Sequence, residues 1–181
     1  MSRFFRYTII FCLSFVFWFL FNQNLSFRER LLENGYAQTK VLYSKDDKID
    51  EALVSEIQAA RKFVYFAVYT ITKENIVNAL IAAKLRGLEV VGVLDANQID
   101  IPEEKPWVKK LKKYGIVLKI PVKESGLMHL KMLVTDKAYA SGSFNYTVSA
   151  ASYNDEVIEV GRVEGIRKQY LAVFKRLYES Q

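Results

Sequence analysis

Phe63 to Tyr69 reads FVYFAVY, seven residues without a charge and without the polar alternation of a half-solvated strand. Such a run fits a strand covered on both sides. Leu88 to Leu94 is a second buried strand of this kind. Between them Thr72 stands as the cap of a helix that turns Ile76, Val77, Leu80 and Ile81 inward and stops at Gly87. The same alternation extends outward. Thr39–Tyr43 is a short strand, and Lys48–Lys62 a helix with Ile49, Leu53, Val54 and Ile57 on one face. A loop opens at Asp95 and runs to about Glu104. Pro106–Tyr114 is a short basic helix ended by Gly115, and Ile116–Ile120 is a strand. Met128–Thr135 and Ala138–Ser141 form a hairpin around Asp136-Lys137. Asp155–Val160 is the last strand, and Val163–Glu179 a closing helix with Ile166, Tyr170, Phe174 and Leu177 at helical spacing. The pattern predicts an α/β fold, a mixed β-sheet flanked by helices.

The chain has 181 residues, 51% of them apolar, which is enough for one sizeable core and excludes disorder and collagen-like repeats. Cys12 is the only cysteine and His129 the only histidine. An intramolecular disulfide, a CxxC site and a His-rich metal site within one chain are therefore excluded. The chemistry needs no cofactor that the sequence announces, and no metal ligand set is evident.

Residues 1–27 read as a separate membrane segment. Tyr7 to Phe21 is apolar apart from Thr8 and Ser14, follows Arg3 and Arg6, and precedes the next charge at Arg28. The uncharged stretch Tyr7–Phe27 is just long enough to span a bilayer. The basic flank keeps the start in the cytoplasm and exports the body to the periplasm or cell exterior. A cleaved signal peptide is the alternative, with the body released to the periplasm. Residues 28–38 read as a tether and 39–181 as the functional domain. Without Arg3 and Arg6 the body holds 24 basic and 20 acidic residues, a net charge of +4. That balance permits an anionic partner without demanding one.

The stretch Met128-His-Leu-Lys-Met-Leu-Val-Thr-Asp136 carries the chemistry. In a strand, His129 and Lys131 share one face, and a lysine is costly to bury unpaired. That face should line a cleft or meet an anion. Ser143 and Asn145, in Gly142-Ser-Phe-Asn145, can hydrogen-bond phosphate oxygens. A carboxylate of Asn154-Asp155-Glu156, at the start of the last strand, can accept the second ring N–H of His129 and fix its tautomer. Taken singly, each has a plain structural reading: a satisfied core histidine, a snorkelling lysine, turn or capping residues, an edge-strand charge.

His-x-Lys-x4-Asp followed by Gly-Ser-x-Asn resembles the phospholipase D superfamily, in its single-motif Nuc-type endonuclease form and, by layout, its membrane-anchored NucT-like and Zucchini-like members. The likeness covers about Lys40 to Val160, with five residues between Asp136 and Gly142 where many Nuc-type members have six. The resemblance implies a phospholipase D/nuclease-like sandwich. It implies that His129 is the nucleophile forming a phosphohistidine, that Lys131 and Asn145 hold the non-bridging oxygens, that Ser143 adds a phosphate hydrogen bond and that Glu156 orients His129. Asp136 is then structural. The family uses two motifs per site and no metal. This chain has one motif, so the resemblance implies a homodimer in which the partner subunit's His129 protonates the leaving oxygen.

Lys105, Lys109, Lys110, Lys112 and Lys113 cluster around Trp107, and Lys123 extends the run towards His129. One reading is a nucleic-acid surface with an aromatic for stacking; the other is a solvated helix face with Trp107 packed inward. Three functions are carried forward. The first is a metal-independent endonuclease acting on nucleic acid, DNA foremost and single strands by preference. The second is a phospholipid phosphodiesterase of the cardiolipin type. The third is a membrane-tethered protein that captures nucleic acid without cutting it.

Overall fold

The computed structural model describes residues 18–23, 38–121 and 126–180. Residues 1–38 and 39–181 form two separate units. In the first, residues 18–23 are helical. Among the described residues no helix is long and apolar enough to cross a membrane; most of the anchor expected over 1–27, and most of the tether, lie outside them.

The second unit is one seven-stranded sheet with helices on both faces. In chain order its elements are β1 (Thr39–Tyr43), α1 (Ile49–Ala59), β2 (Phe63–Val68), α2 (Glu74–Leu85), β3 (Glu89–Leu94), α3 (Lys105–Lys113), β4 (Val117–Lys119), β5 (Lys131–Thr135), β6 (Tyr139–Gly142), α4 (Val148–Ser152), β7 (Val157–Gly161) and α5 (Glu164–Glu179). The strand order is β1-β7-β6-β5-β2-β3-β4. β2, β3 and β4 run parallel; β5 lies antiparallel to β2, and β5, β6, β7 and β1 continue antiparallel. The sheet is mixed, as the alternation of the sequence predicts, and its seam falls between β2 and β5.

Two apolar layers explain why β2 is apolar throughout. Val64, Phe66 and Val68 face Ile49, Leu53 and Ile57 of α1, Ile76, Val77 and Leu80 of α2, and Val108 and Leu111 of α3. Ala67 faces the other way, into a smaller layer with Met132, Val134, Tyr139 and Phe174 of α5. Stacked rings link Phe63 to Tyr65, Tyr65 to Phe174 and Tyr139 to Tyr170 across that layer. Of the spacing expected to turn α5 inward, Phe174 is buried, Tyr170 and Leu177 are half-buried and Ile166 is exposed.

Three local expectations are corrected. Thr72 does not cap α2. The cap position is Lys73, without a side-chain bond, and the amides of Thr72 and Lys73 are held by the Tyr146 carbonyl at 2.8 and 2.7 Å. α1 ends at Ala59, short of Lys62, because Ala60 is extended and Asp136 takes the next two amides. α4 was not expected. Its five residues show no periodicity, and Thr147 caps it by accepting from the Ala150 amide at 3.1 Å.

Candidate active site

β2 and β3 end side by side, and β5 begins there because it runs antiparallel to β2. Open α/β sheets place their ligands outside the carboxyl ends of their strands. Val68 is paired with Lys131, the first residue of β5, and the Tyr69 amide donates to the Leu130 carbonyl at 3.0 Å. His129 therefore precedes the strand instead of lying within it, and its ring is exposed. Lys131 is only 5% exposed. Its ammonium donates to the His129 carbonyl at 2.8 Å and lies 5.3 Å from the centroid of the Tyr69 ring. Burial lowers its pKa, and the negative charge of Glu156 offsets part of that effect. An ammonium has three donors. One is spent on a neutral carbonyl, and the other two have no described hydrogen-bond acceptor. This is the electrostatic profile of an anion site.

Gly142 closes β6 where a side chain has no room. A Cβ there would meet the Val157 carbonyl and come within 2.8 Å of the Ile158 Cα. Ser143 can thus sit tight against β7. Its amide donates to the Val157 carbonyl at 2.9 Å, its hydroxyl accepts from the Val157 amide at 3.1 Å, and the hydroxyl proton goes to Glu156 Oε2. Glu156 is buried, and Asn154 Nδ2 donates to its other oxygen at 3.1 Å. Among the described hydrogen bonds the carboxylate is held by Ser143 and Asn154, and none joins it to His129. The bond expected between them is not among those described, although Glu156 is close enough to act electrostatically on Lys131. Asn145 is half-buried, and its Oδ1 is buried without a partner.

Asp136 lies at the far end of β5. It accepts the Arg61 and Lys62 amides at 2.8 and 3.1 Å, pinning the turn between α1 and β2. Burial works against its charge, but those amides hold its carboxyl below the usual range. The two-residue turn Asp136-Lys137 is closed by the Thr135 amide and the Ala138 carbonyl at 2.8 Å. It accommodates the shorter spacing to Gly142.

The basic run divides. α3 begins at the site end of the sheet with Lys105 and, returning from β3 to the start of the parallel strand β4, carries Lys112 and Lys113 to the opposite end. Lys105 pairs with Asp100 at 3.1 Å. Lys110 donates to Asn78 Oδ1 at 2.9 Å and lies 5.4 Å over the Trp107 ring, which itself packs on the core. Lys109 is exposed. The helix is thus largely the solvated face with Trp107 turned inward, and it is not gathered at His129. Lys123 lies outside the described residues.

Three residues that sequence reasoning missed converge on the site. The Tyr69 and His129 rings are 4.8 Å apart, tilted by 56°. Gln98 Nε2 donates to the Tyr69 hydroxyl at 2.8 Å, and Asp95 Oδ2 accepts the Met128 amide at 2.7 Å. The available signal was the position of Asp95 just past a buried strand. Among the described residues no cluster of three or more His, Cys, Asp or Glu side chains is suited to a metal ion.

A family model described as "Cardiolipin synthase, PLD-like domain" matches residues 53–178, and the chain belongs to that family. Phospholipase D of Rickettsia prowazekii (strain Madrid E) is 29% identical over 121 residues, covering 66% of this chain and 57% of that protein. Mitochondrial cardiolipin hydrolase of Xenopus laevis is 27% identical over 135 residues, covering 74% and 63%. The chain thus spans less than two thirds of these curated relatives. Two solved structures share the fold. Nuc of Salmonella typhimurium, a phospholipase D family member, has a TM-score of 0.71 at 24% identity, covering 76% of this chain and 91% of that one. NucT of Helicobacter pylori has a TM-score of 0.72 at 21% identity, covering 79% and 96%.

Proposed function

We propose that this chain is a metal-independent phosphodiesterase that hydrolyses nucleic acid, DNA foremost and single strands by preference, through a phosphohistidine intermediate. The observation that carries the reading is the pairing of the exposed His129 with the buried Lys131, whose two uncommitted donors suit the non-bridging oxygens of a phosphodiester. An imidazole nitrogen of His129 attacks phosphorus, and the bond to the leaving oxygen breaks. The partner subunit's His129 gives that oxygen its proton. Water then attacks phosphorus, the P–N bond breaks, and the proton from water passes to the partner subunit's His129, which restores both imidazoles. Lys131 and Asn145 stabilise the developing charge. Ser143 joins them on giving up its bond to Glu156. The homodimer is what the family's use of two motifs per site implies for a chain that carries one. The N-terminal apolar segment holds the enzyme at the membrane, facing the periplasm or cell exterior.

A second reading has its own support. Leu127 and Leu130, on either side of His129, are exposed, and an apolar rim suits a lipid phosphodiester. The family description and the Xenopus relative both name cardiolipin. One experiment separates these. The full-length chain in detergent, beside His129→Ala, is given labelled single-stranded DNA and cardiolipin vesicles in excess EDTA. DNA cutting that persists in EDTA and is lost in the variant supports the nuclease. Turnover of lipid alone moves the reading to the second. DNA binding equal in both proteins, with no cutting, leaves a capture protein.

A further inference from the structure

The loop after β3 touches the site twice. Asp95 is 4% exposed, and its two carboxylate oxygens are divided. Oδ1 accepts the Asn97 amide at 2.9 Å, which folds the loop on itself, and Oδ2 accepts the Met128 amide at 2.7 Å, one residue before His129. Gln98 follows, its amide bonded to the Asp95 carbonyl at 3.2 Å. Its side chain is used at both ends. Oε1 accepts from the Thr70 hydroxyl at 3.2 Å, so Nε2 is turned to the Tyr69 oxygen, at 2.8 Å. The Tyr69 ring in turn meets the His129 imidazole at 4.8 Å and the Lys131 ammonium at 5.3 Å.

The geometry points to Tyr69 and Gln98 as positioning residues for the His129–Lys131 pair. The Tyr69 ring is the surface against which the exposed imidazole is set, and Gln98 locks the ring in place. The need follows from where His129 lies. Outside the strand it lacks ladder hydrogen bonds, and among the described contacts its imidazole is held by Tyr69 alone. A ring face also suits the second member of the pair, because the π cloud attracts a desolvated ammonium without neutralising it. A carboxylate in that place would compete with the substrate phosphate. An attacking group misplaced by about 1 Å loses on the order of a hundredfold in rate, so a ring free to swing is costly. A bonded phenol oxygen limits that swing.

The inference rests on the phosphodiesterase reading for its kinetic arm alone. His129 is the only histidine in the chain, so it gives one imidazole Hε1 resonance by NMR. The Tyr69 ring displaces that resonance by its ring current. Tyr69→Phe removes the phenol–amide bond and keeps the ring; Gln98→Leu keeps the ring and removes that bond together with the one from Thr70. In the full-length chain in detergent, both should move the His129 resonance in the same direction and broaden it. Turnover of a soluble phosphodiester should fall about tenfold in kcat, with KM changed less than twofold. The double variant should be no worse than Gln98→Leu alone, because the bond that Tyr69→Phe deletes is already gone there. An unmoved His129 resonance in both single variants overturns the inference, and so do additive losses in the double variant. If the native chain turns over no phosphodiester, the phosphodiesterase reading fails, and the resonance still decides the positioning role.

Discussion

Glu104 offers a test of the buried electrostatics beneath the site. It closes the loop that Asp95 opens and stands at the N-cap of α3, fully buried, with both carboxylate oxygens lacking a hydrogen-bond partner. Burial pushes its pKa up to about 7, and the charge of Asp95 adds to it. A carboxyl that titrates near 7 when folded and at its ordinary value of 4.5 when unfolded keeps its proton where the unfolded chain has lost it. Stability is therefore drained as the pH rises from the unfolded value to the folded one. The loss is about 3 kcal/mol once both forms are ionised and vanishes below the unfolded value. Glu104→Gln is neutral at every pH and keeps the shape. Any fixed cost of the amide is the same at pH 5 and pH 8. Melting midpoints of both full-length proteins between those pH values isolate the carboxyl, because every other titrating group is shared. The native midpoint should fall more than that of the variant by about 6–12 °C. An infrared carbonyl band of a protonated acid at pH 6 should be present in the native chain and missing from the variant. Parallel midpoint curves would refute the reasoning and would mean that Glu104 is hydrated or paired in solution.

Two further outcomes follow. Asp136→Ala removes the acceptor for the Arg61 and Lys62 amides. It should cost about 2 kcal/mol, read as a melting midpoint lowered by about 4–8 °C, with kcat on a soluble phosphodiester unchanged. Lys131→Met keeps the length of a side chain that is costly to bury and deletes its charge. The midpoint should hold or rise, while phosphodiester turnover falls at least about a hundredfold; a variant that loses stability and keeps activity would remove Lys131 from the chemistry.

Much of the fold was legible because the buried strands announce themselves. FVYFAVY became β2, covered on both faces, and the turn at Asp136-Lys137 fell where the hairpin was expected. The legible part of the site was its short-range pattern: His129, Lys131, Ser143, Asn145 and Glu156 all come to the same end of the sheet. What sequence could not supply was long-range partnership. Alternation placed His129 inside a strand, but β5 starts at Lys131 because the pairing with β2 begins there. Glu156 was expected on His129, yet the close approach at Gly142 brings the Ser143 hydroxyl to it first. Thr72 had the composition of a cap, and its amide went to a carbonyl 74 positions along the chain.

The residues missed altogether share one property. Tyr69 reads as the last apolar residue of a strand, and Asp95 and Gln98 as loop polarity; nothing local distinguishes them. Topology makes them neighbours. β2 and β3 are parallel, so their carboxyl ends deliver Tyr69 and Asp95 to the same edge of the sheet. β5 arrives antiparallel and brings Met128 and His129 to them. At any other point along these strands a lysine would face apolar side chains from the helices. At the seam the ladder ends, backbone groups come free, and polar side chains can reach them: the His129 carbonyl for Lys131, the Met128 amide for Asp95. A charged, solvent-facing site on strands this apolar can be built only where they stop, and the change of strand direction between β2 and β5 is what makes three of them start or stop together.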